Sequence, residues 1–244
     1  MPANWHGGQS TRRHVITDAD IVTTPHSSCP RIISHFRRFL ENGDLHRYAA
    51  AVDRAYSTST LLAILDRGDA ELRRAAVTAL RSLGGHSAVE PLGRALADPD
   101  RSVRQAADVA FRQLVVRDAA PTHQRRLLQV IHLNEGGEHA AALPPTLILA
   151  DQAPDYAEVH HQLAVCWQGL DDLDAAEAAY CSGLWHCRFH YPAWLGLANC
   201  RIAAGDVNEA IEALRQALSI CPDLEMAKTK IEALRQRSRQ DSRE

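Results

Sequence analysis

The sequence predicts an all-α protein, an α-solenoid of stacked helical hairpins, and three observations support that fold class. A unit of 34 residues recurs three times without insertion between His123 and Leu224. A second unit, of 31 residues, recurs between Leu61 and Leu114. Alanine and leucine dominate the composition, whereas glycine accounts for 13 of 244 residues, and this balance favours helix. A fixed period of this length is typical of units that bury their apolar faces only against neighbouring units.

The N-terminal region contains one segment without periodicity and two short periodic ones. Residues 1–29 combine glycines, prolines and scattered polar residues with no helical period, so we predict a disordered segment there. Apolar residues then recur at helical spacing in 32–40 and again in 45–56, which predicts two short amphipathic helices. The sequence Asn42-Gly43-Asp44 lies between them and predicts the break.

Each 31-residue unit predicts a short helix, a turn and a longer helix. Asp69 and Asp100 stand where the longer helices begin, and aspartate is a preferred N-cap residue. Arg73 and Arg104 follow four residues later in the same register. These units, above all DPDRSVRQAADVAFRQL at 98–114, resemble HEAT-like repeats of the phycobilin-lyase type. The resemblance implies that the aspartates cap helices and that the arginines form a ladder across the repeats.

The 34-residue units resemble tetratricopeptide repeats. The third unit has the packing, turn and closing residues of that family, which are Trp194, Leu197, Ala198, Gly205, Ala210, Leu214, Ala217 and Pro222. The second unit keeps most of them but has Asp171-Asp172 in its turn and Arg188 in place of the closing proline. The first unit, His123–Tyr156, keeps Gly137 and Pro154 but has lost its aromatic residues.

These resemblances define the predicted domains. Residues 31–56 look like a degenerate first HEAT unit with Asp44 at the cap position, so the HEAT-like domain is placed at 30–118. The tetratricopeptide repeat domain, with a C-terminal capping helix, is placed at 119–238. The last residues, 239–244, are predicted to form a flexible tail.

The pair Pro144-Pro145 departs from the repeat pattern. A proline in the interior of a helix costs about 3 kcal/mol, because the ring lacks an N–H and clashes with the preceding turn. We therefore predict that the second helix of the first tetratricopeptide unit is kinked or restarts near Leu143.

The six cysteines do not form a disulfide pattern. Cys166 and Cys200 are 34 residues apart, and so are Cys187 and Cys221. Equivalent positions on successive repeats are too distant for the Cα separation of about 5.5 Å that a disulfide requires. We expect reduced thiols that fill tight contacts between helices.

Few residues suggest catalysis or metal binding. His186, Cys187 and His190 lie close in sequence, but Cys187 is explained by its repeat partner and no carboxylate lies nearby, so we predict no metal site. His160 and His161 point about 100° apart on a helix and cannot chelate together. The sequence contains no glycine-rich phosphate loop and no Gly-x-Ser-x-Gly elbow. We predict a protein without catalytic residues or cofactor, and therefore not an enzyme.

The resemblance to tetratricopeptide repeats also implies a binding surface. In that family the first helices line a concave groove that accepts an extended or helical peptide, and the corresponding residues here are Leu127, Ile131, His161, Val165, Gln168, Leu195, Asn199 and Ile202. Leu127, His161 and Leu195 replace the basic residues of members that clamp a terminal carboxylate, so we expect no such clamp.

The expected partner is a protein. An apolar groove with an acidic rim suits an amphipathic, basic segment, and the rim residues are Glu135, Asp171, Asp172, Asp174 and Asp206. We therefore expect a protein-interaction scaffold or adaptor. Alternatively, the same apolar residues are buried against the HEAT-like domain or against a second copy of the chain.

Charge and composition leave two alternative functions open. Residues 1–126 carry a net charge of +5, whereas residues 127–224 carry −10. The basic half suggests nucleic-acid binding through a ridge of Arg73, Arg74, Arg81, Arg94, Arg101, Arg104 and Arg112. The HEAT resemblance suggests a bilin lyase or a chaperone-like accessory protein. No apolar run approaches the roughly 18 residues of a membrane span, and we expect a soluble, cytoplasmic bacterial protein.

Overall fold

A computed structural model describes residues 30–241, and within them it contains helices and no strand. The predicted disordered segment 1–29 and the last three residues of the predicted tail lie outside the described residues. The helices are α1 (Arg31–Asn42), α2 (Leu45–Asp53), α3 (Thr58–Arg67), α4 (Ala70–Leu83), α5 (Val89–Ala95), α6 (Arg101–Arg117), α7 (Pro121–Glu135), α8 (His139–Gln152), α9 (Ala157–Gly169), α10 (Leu173–His186), α11 (Tyr191–Ala204), α12 (Val207–Ile220) and α13 (Glu225–Asp241). A 3₁₀ turn, His86–Ala88, precedes α5. The predicted all-α solenoid is confirmed.

Helices α1 and α2 form the predicted first pair. Gly43 ends α1 in the left-handed conformation, with φ 69°, which glycine adopts without a steric penalty. Asp44 then caps α2 by accepting a backbone N–H with its side chain. Phe36 and Tyr48 pack together with ring centroids 6.0 Å apart. The Tyr48 hydroxyl donates to the Ala75 carbonyl at 2.8 Å, so the pair packs against α4.

The two HEAT units are the hairpins α3/α4 and α5/α6, and both predicted caps are confirmed. Asp69 accepts the N–H of Leu72 at 2.8 Å, and Asp100 caps α6 in the same way. The predicted arginine ladder begins at Arg73, whose Nε and Nη2 donate to both oxygens of Asp98 at 2.7 and 2.8 Å. This bidentate pair joins the first unit to the turn of the second.

The tetratricopeptide units are the hairpins α7/α8, α9/α10 and α11/α12, followed by α13. The small residues predicted at the helix crossings are fully buried, and they include Ala164, Ala176, Ala198 and Ala210. The capping helix α13 continues to Asp241, three residues beyond the predicted domain end.

Helix α8 does not restart at the proline pair. It runs without interruption from His139 to Gln152 with Pro144 and Pro145 inside it, so the predicted restart near Leu143 is wrong, whereas the alternative, a kink, stays a prediction. Each proline lacks the N–H that would bond four residues back. The packing of α8 against α7 and α9 outweighs the loss of these two hydrogen bonds.

Helix α6 runs along the loops that join the tetratricopeptide hairpins. The Tyr156 hydroxyl donates to the Val116 carbonyl at the end of α6, and the Tyr191 hydroxyl donates to Asp108 in its middle. At the start of α6, Arg104 binds Asp223. The twelve residue steps from position 104 to 116 span roughly 18 Å at 1.5 Å per step, so one helix contacts three successive inter-repeat loops.

The contact of Arg104 with Asp223 repeats the geometry of the HEAT ladder. Nε and Nη2 of Arg104 donate to the two oxygens of Asp223 at 2.9 and 3.0 Å, and Nη1 donates to the Asp98 carbonyl at 2.9 Å. Arg73 binds Asp98 and the Gly68 carbonyl in the same manner. The loop after α12 therefore occupies the position that the turn of a third HEAT unit would take.

The two predicted domains share one apolar core. The core of the HEAT hairpins, which contains Leu80 and Phe111, also includes Cys187, Tyr191 and Cys221 from the tetratricopeptide loops. Two further cores lie within the tetratricopeptide hairpins, one at α9–α13 and one around α7 and α8. Apolar contacts of the first core therefore cross the boundary predicted at residue 118, and the division into two domains stays a prediction.

The five described cysteines are free, and four of them are buried. Cys166 and Cys200 are 0 and 1 % exposed. Cys187 and Cys221 lie in the core that joins the two repeat types. The prediction that these thiols fill contacts between helices is confirmed.

We predict that Gly93→Ala destabilises the junction between the repeat types. An added Cβ at this helical position would lie 2.4 Å from Cγ and 2.6 Å from Cβ of Phe189. Overpacking of this kind costs about 1–3 kcal/mol, which exceeds the gain of up to about 1 kcal/mol that alanine gives a helix. Chemical denaturation should show a lower free energy of unfolding.

Two controls isolate this contact. Gly85→Ala meets no atom within 4 Å and should leave stability unchanged. In a double-mutant cycle, Phe189→Ala should relieve part of the cost of Gly93→Ala, because the two residues touch. Additive effects, or a stabilised Gly93→Ala variant, would contradict the described packing.

Candidate functional site

The predicted groove residues lie on the first helices of the three hairpins, α7, α9 and α11. Seven of them are partly exposed, namely Ile131, His161, Val165, Gln168, Leu195, Asn199 and Ile202. Leu127 is 0 % exposed and belongs to the core around α7 and α8. Its assignment to the groove surface is therefore wrong, because the side chain turns into the core between α7 and α8.

Several of these side chains already have partners within the chain. Gln168 accepts the Tyr180 hydroxyl at 2.9 Å, and Asn199 accepts from Nζ of Lys230 at 2.6 Å. Leu195 packs against both the shared HEAT core and the core of α9–α13. The alternative prediction of burial against the HEAT-like domain thus applies to Leu195.

The two edges of the tetratricopeptide hairpins differ. Helix α6 covers the inter-repeat loops at one edge. The turns within the hairpins lie at the opposite helix ends and carry the exposed carboxylates Glu135, Asp171, Asp172, Asp174 and Asp206. Asp172 also caps α10 by accepting the Ala175 N–H at 3.0 Å. The acidic edge remains exposed, whereas the other edge is occupied by the HEAT hairpins.

The arginines of the predicted nucleic-acid ridge are largely engaged within the chain. Arg94 pairs with Glu90 at 2.7 Å, and Arg112 pairs with Asp108 at 2.9 Å. Arg73 and Arg104 hold the two ladder aspartates. Four of the seven ridge arginines are thus paired with carboxylates, while Arg81 donates to Gln113 and Arg74 lies over the ring of Phe36; nucleic-acid binding through this ridge stays a prediction.

A buried cluster of one carboxylate and two imidazoles joins α9 to the start of α11. Glu158 and His190 are 6 and 1 % exposed. Oε2 of Glu158 lies 2.8 Å from Nε2 of His190, and its Oε1 lies 3.2 Å from Nδ1 of His161. Nε2 of Gln162 donates to Oε1 of Glu158 at 2.8 Å.

The hydrogen bonds define the tautomer of His190. Its Nδ1 accepts the Ala193 N–H at 3.2 Å and thereby caps α11. The proton of the neutral ring therefore resides on Nε2, which donates to Glu158. Burial lowers the pKa of His190, which keeps the ring neutral and suits this role.

Glu158 remains ionised in this surrounding. Burial raises the pKa of its carboxyl, but the neighbouring His161 and His190 outweigh burial and hold the pKa well below its usual range. A buried carboxylate is costly unless it is paired and hydrogen-bonded. The cluster thus combines a charged acceptor with two nitrogen donors, the types of atom that hold a transition-metal ion.

The sequence did not predict this cluster. It grouped His186 with His190, but His186 stacks on His160 with ring centroids 5.5 Å apart. His161, in contrast, contacts Glu158. The repeat gave no signal, because Glu158 and His190 are 32 residues apart whereas the period is 34; the available local signal was the spacing of three residues between Glu158 and His161 on α9.

Comparisons with known proteins agree with the two repeat types. Residues 58–120 match the family model of HEAT repeats, and residues 191–224 match the model of the tetratricopeptide repeat. The chain therefore carries HEAT repeats followed by a tetratricopeptide repeat in a single helical solenoid.

The search of solved structures found the TPR domain of P58(IPK), at 14 % identity and a TM-score of 0.43. The alignment covers 84 % of this chain, and the chain spans 65 % of that domain. No curated protein matches the sequence. Among residues 30–241, no helix has both the length and the apolar character needed to cross a bilayer.

We predict that His190→Ala destabilises the metal-free chain. The change removes the cap of α11 and a donor to the buried carboxylate, and together these cost about 2–4 kcal/mol. His190→Asn should lose roughly half as much, because asparagine caps helices well. Urea denaturation in the presence of a chelator measures both values.

His186→Ala is the matched control, since this histidine is exposed and lies outside the cluster. Its effect should stay within about 0.5 kcal/mol. Equal losses for His186→Ala and His190→Ala would show that the cluster does not support the packing of α11.

Proposed function

We propose that the protein is a non-catalytic scaffold or adaptor that binds a peptide or helical segment of a protein partner along α7, α9 and α11. The observation that supports this most is the asymmetry of the two edges. Helix α6 occupies the inter-repeat loops, while the opposite edge presents exposed carboxylates. A partner segment would lie between them, on the partly exposed side chains of the first helices.

The chemistry of this surface favours an amphipathic segment with basic residues. Val165 and Ile202 offer partly exposed apolar contacts, and the acidic turns attract and orient positive charge. Leu127 is excluded because it is buried, and Leu195 is largely used by the internal cores. The proposed contact surface is therefore centred on α9.

We propose the cytoplasm as the place of action. The support is the state of the cysteines, since all five described thiols are free, as is usual in a reducing compartment.

Val165→Glu tests the groove. Val165 is partly exposed and lies outside the three apolar cores of the described chain, so a charge there should not unfold the protein. A photoreactive amino acid at position 202 of the full chain should crosslink the partner in the native host. Val165→Glu should reduce the yield of that crosslink about tenfold or more. A tenfold loss of affinity corresponds to the loss of about 1.4 kcal/mol of binding free energy.

Ile148→Glu is the matched control, because Ile148 is 56 % exposed on α8, away from the first helices. It should leave crosslinking unchanged, and circular dichroism should show both variants folded. Crosslinking that resists Val165→Glu but falls with Ile148→Glu would place the partner on the second helices and contradict the proposal.

A further inference from the structure

We propose that Glu158, His161 and His190 form a binding site for a divalent transition-metal ion such as Zn²⁺. The three residues each offer one ligand atom, and these atoms all lie within 4.8 Å of one another. Two imidazole nitrogens and a carboxylate oxygen are a common ligand set for zinc and its neighbours in the first transition row. This inference goes beyond peptide binding, and its test needs no partner.

Each histidine nitrogen lies close to one oxygen of Glu158, at a distance near the spacing of tetrahedral ligands, and the two histidines would have to approach a common ion from within 4.8 Å of each other. Zinc–ligand bonds of about 2.0–2.1 Å place neighbouring ligand atoms roughly 3.3 Å apart. Oε1 of Glu158 and Nδ1 of His161 are already 3.2 Å apart. The 2.8 Å contact between Glu158 and His190 needs to open by about half an ångström, which a side-chain rotation provides.

The negative charge of the buried cluster also favours the binding of a cation. Within residues 30–241, the ion pairs of Glu158 are made with His161 and His190 and with no arginine or lysine. His190 is neutral in the tautomer that caps α11. A divalent ion bound here would supply the positive charge that a buried carboxylate needs.

The carboxylate is held in place by a second layer of buried amides. Gln162 donates to Glu158 at 2.8 Å, and Nδ2 of Asn134 donates to Oε1 of Gln162 at 2.9 Å. Both amide residues are 8 % exposed. Outer partners of this kind orient the ligands of metal sites.

The ion would enter from the side of His161 and would join neighbouring repeats. The side chain of His161 is 16 % exposed, whereas those of Glu158 and His190 are 8 and 2 % exposed. Glu158 and His161 lie on α9, and His190 lies at the start of α11. A bound ion would therefore fix the spacing of two adjacent first helices. Coordination by Nε2 of His190 requires the other neutral tautomer, in which the proton has moved to Nδ1, so the hydrogen bond from the Ala193 N–H would be lost on metal binding.

Calorimetric titration of Zn²⁺ into the untagged, chelator-treated full chain tests the site. We expect one ion per chain and an increase in Tm on addition of Zn²⁺. We expect a Kd for Zn²⁺ that is more than about tenfold higher in each of three variants, Glu158→Gln, His161→Gln and His190→Asn. Loss of an outer partner of a metal ligand already lowers metal affinity by about tenfold or more. Each should also abolish the increase in Tm.

Two controls separate this site from other metal-binding groups. His186→Gln and Cys181→Ser remove a neighbouring histidine and an exposed thiol, and both should bind Zn²⁺ as the unaltered chain does. His161→Gln decides the matter even if the other two variants misfold, because His161 is partly exposed and caps no helix. Absence of binding to the unaltered chain, or undiminished binding to folded His161→Gln, would overturn the proposal.

Discussion

Helix α6 belongs to two kinds of repeat at once. One of its faces packs against α4 in the HEAT hairpins, and another contacts the loops that join the tetratricopeptide hairpins. The bidentate contact of Arg104 with Asp223 shows how the join is made, since it reuses the geometry with which Arg73 binds Asp98. Arg104, the last arginine of the ladder, therefore has a carboxylate partner although no third HEAT unit follows it. The apolar core continues through the join at Cys187, Cys221 and Tyr191.

The contacts of α6 with the inter-repeat loops determine which surfaces of the tetratricopeptide hairpins stay accessible to a partner. The inter-repeat loops are covered by α6, so one edge of the tetratricopeptide hairpins is closed. The acidic turns at the other edge and the partly exposed face of α9 remain accessible. The cluster of Glu158, His161 and His190 lies beside that face and ties α9 to α11. Peptide binding and cation binding, as proposed, would act on the same pair of helices.

Much of the fold follows from local chemistry that the sequence displays. The caps Asp69 and Asp100 and the small residues at helix crossings recur at fixed periods, and Asp44 follows a recognisable helix break, so the hairpins were predictable. The join was not predictable, because Asp223 is 119 residues from Arg104 and no period relates a tetratricopeptide loop to a HEAT turn. The groove was predicted only in outline, since the family pattern placed Leu127 on a surface that packing buries. The histidine–carboxylate cluster crosses two repeats and lacks the short spacing of a recognisable metal motif.

Native-state hydrogen exchange of a Leu80→Ala variant tests the central claim that the contacts of α6 make the two repeat types unfold as one unit. Leu80 is fully buried in the HEAT hairpins, and its truncation costs about 2–5 kcal/mol. If α6 unites the chain, the slowest amides of α11 and α12 should lose protection by the same free energy as those of α4. Unchanged protection in α11 and α12, with loss confined to α3–α6, would show two independent domains and contradict the account.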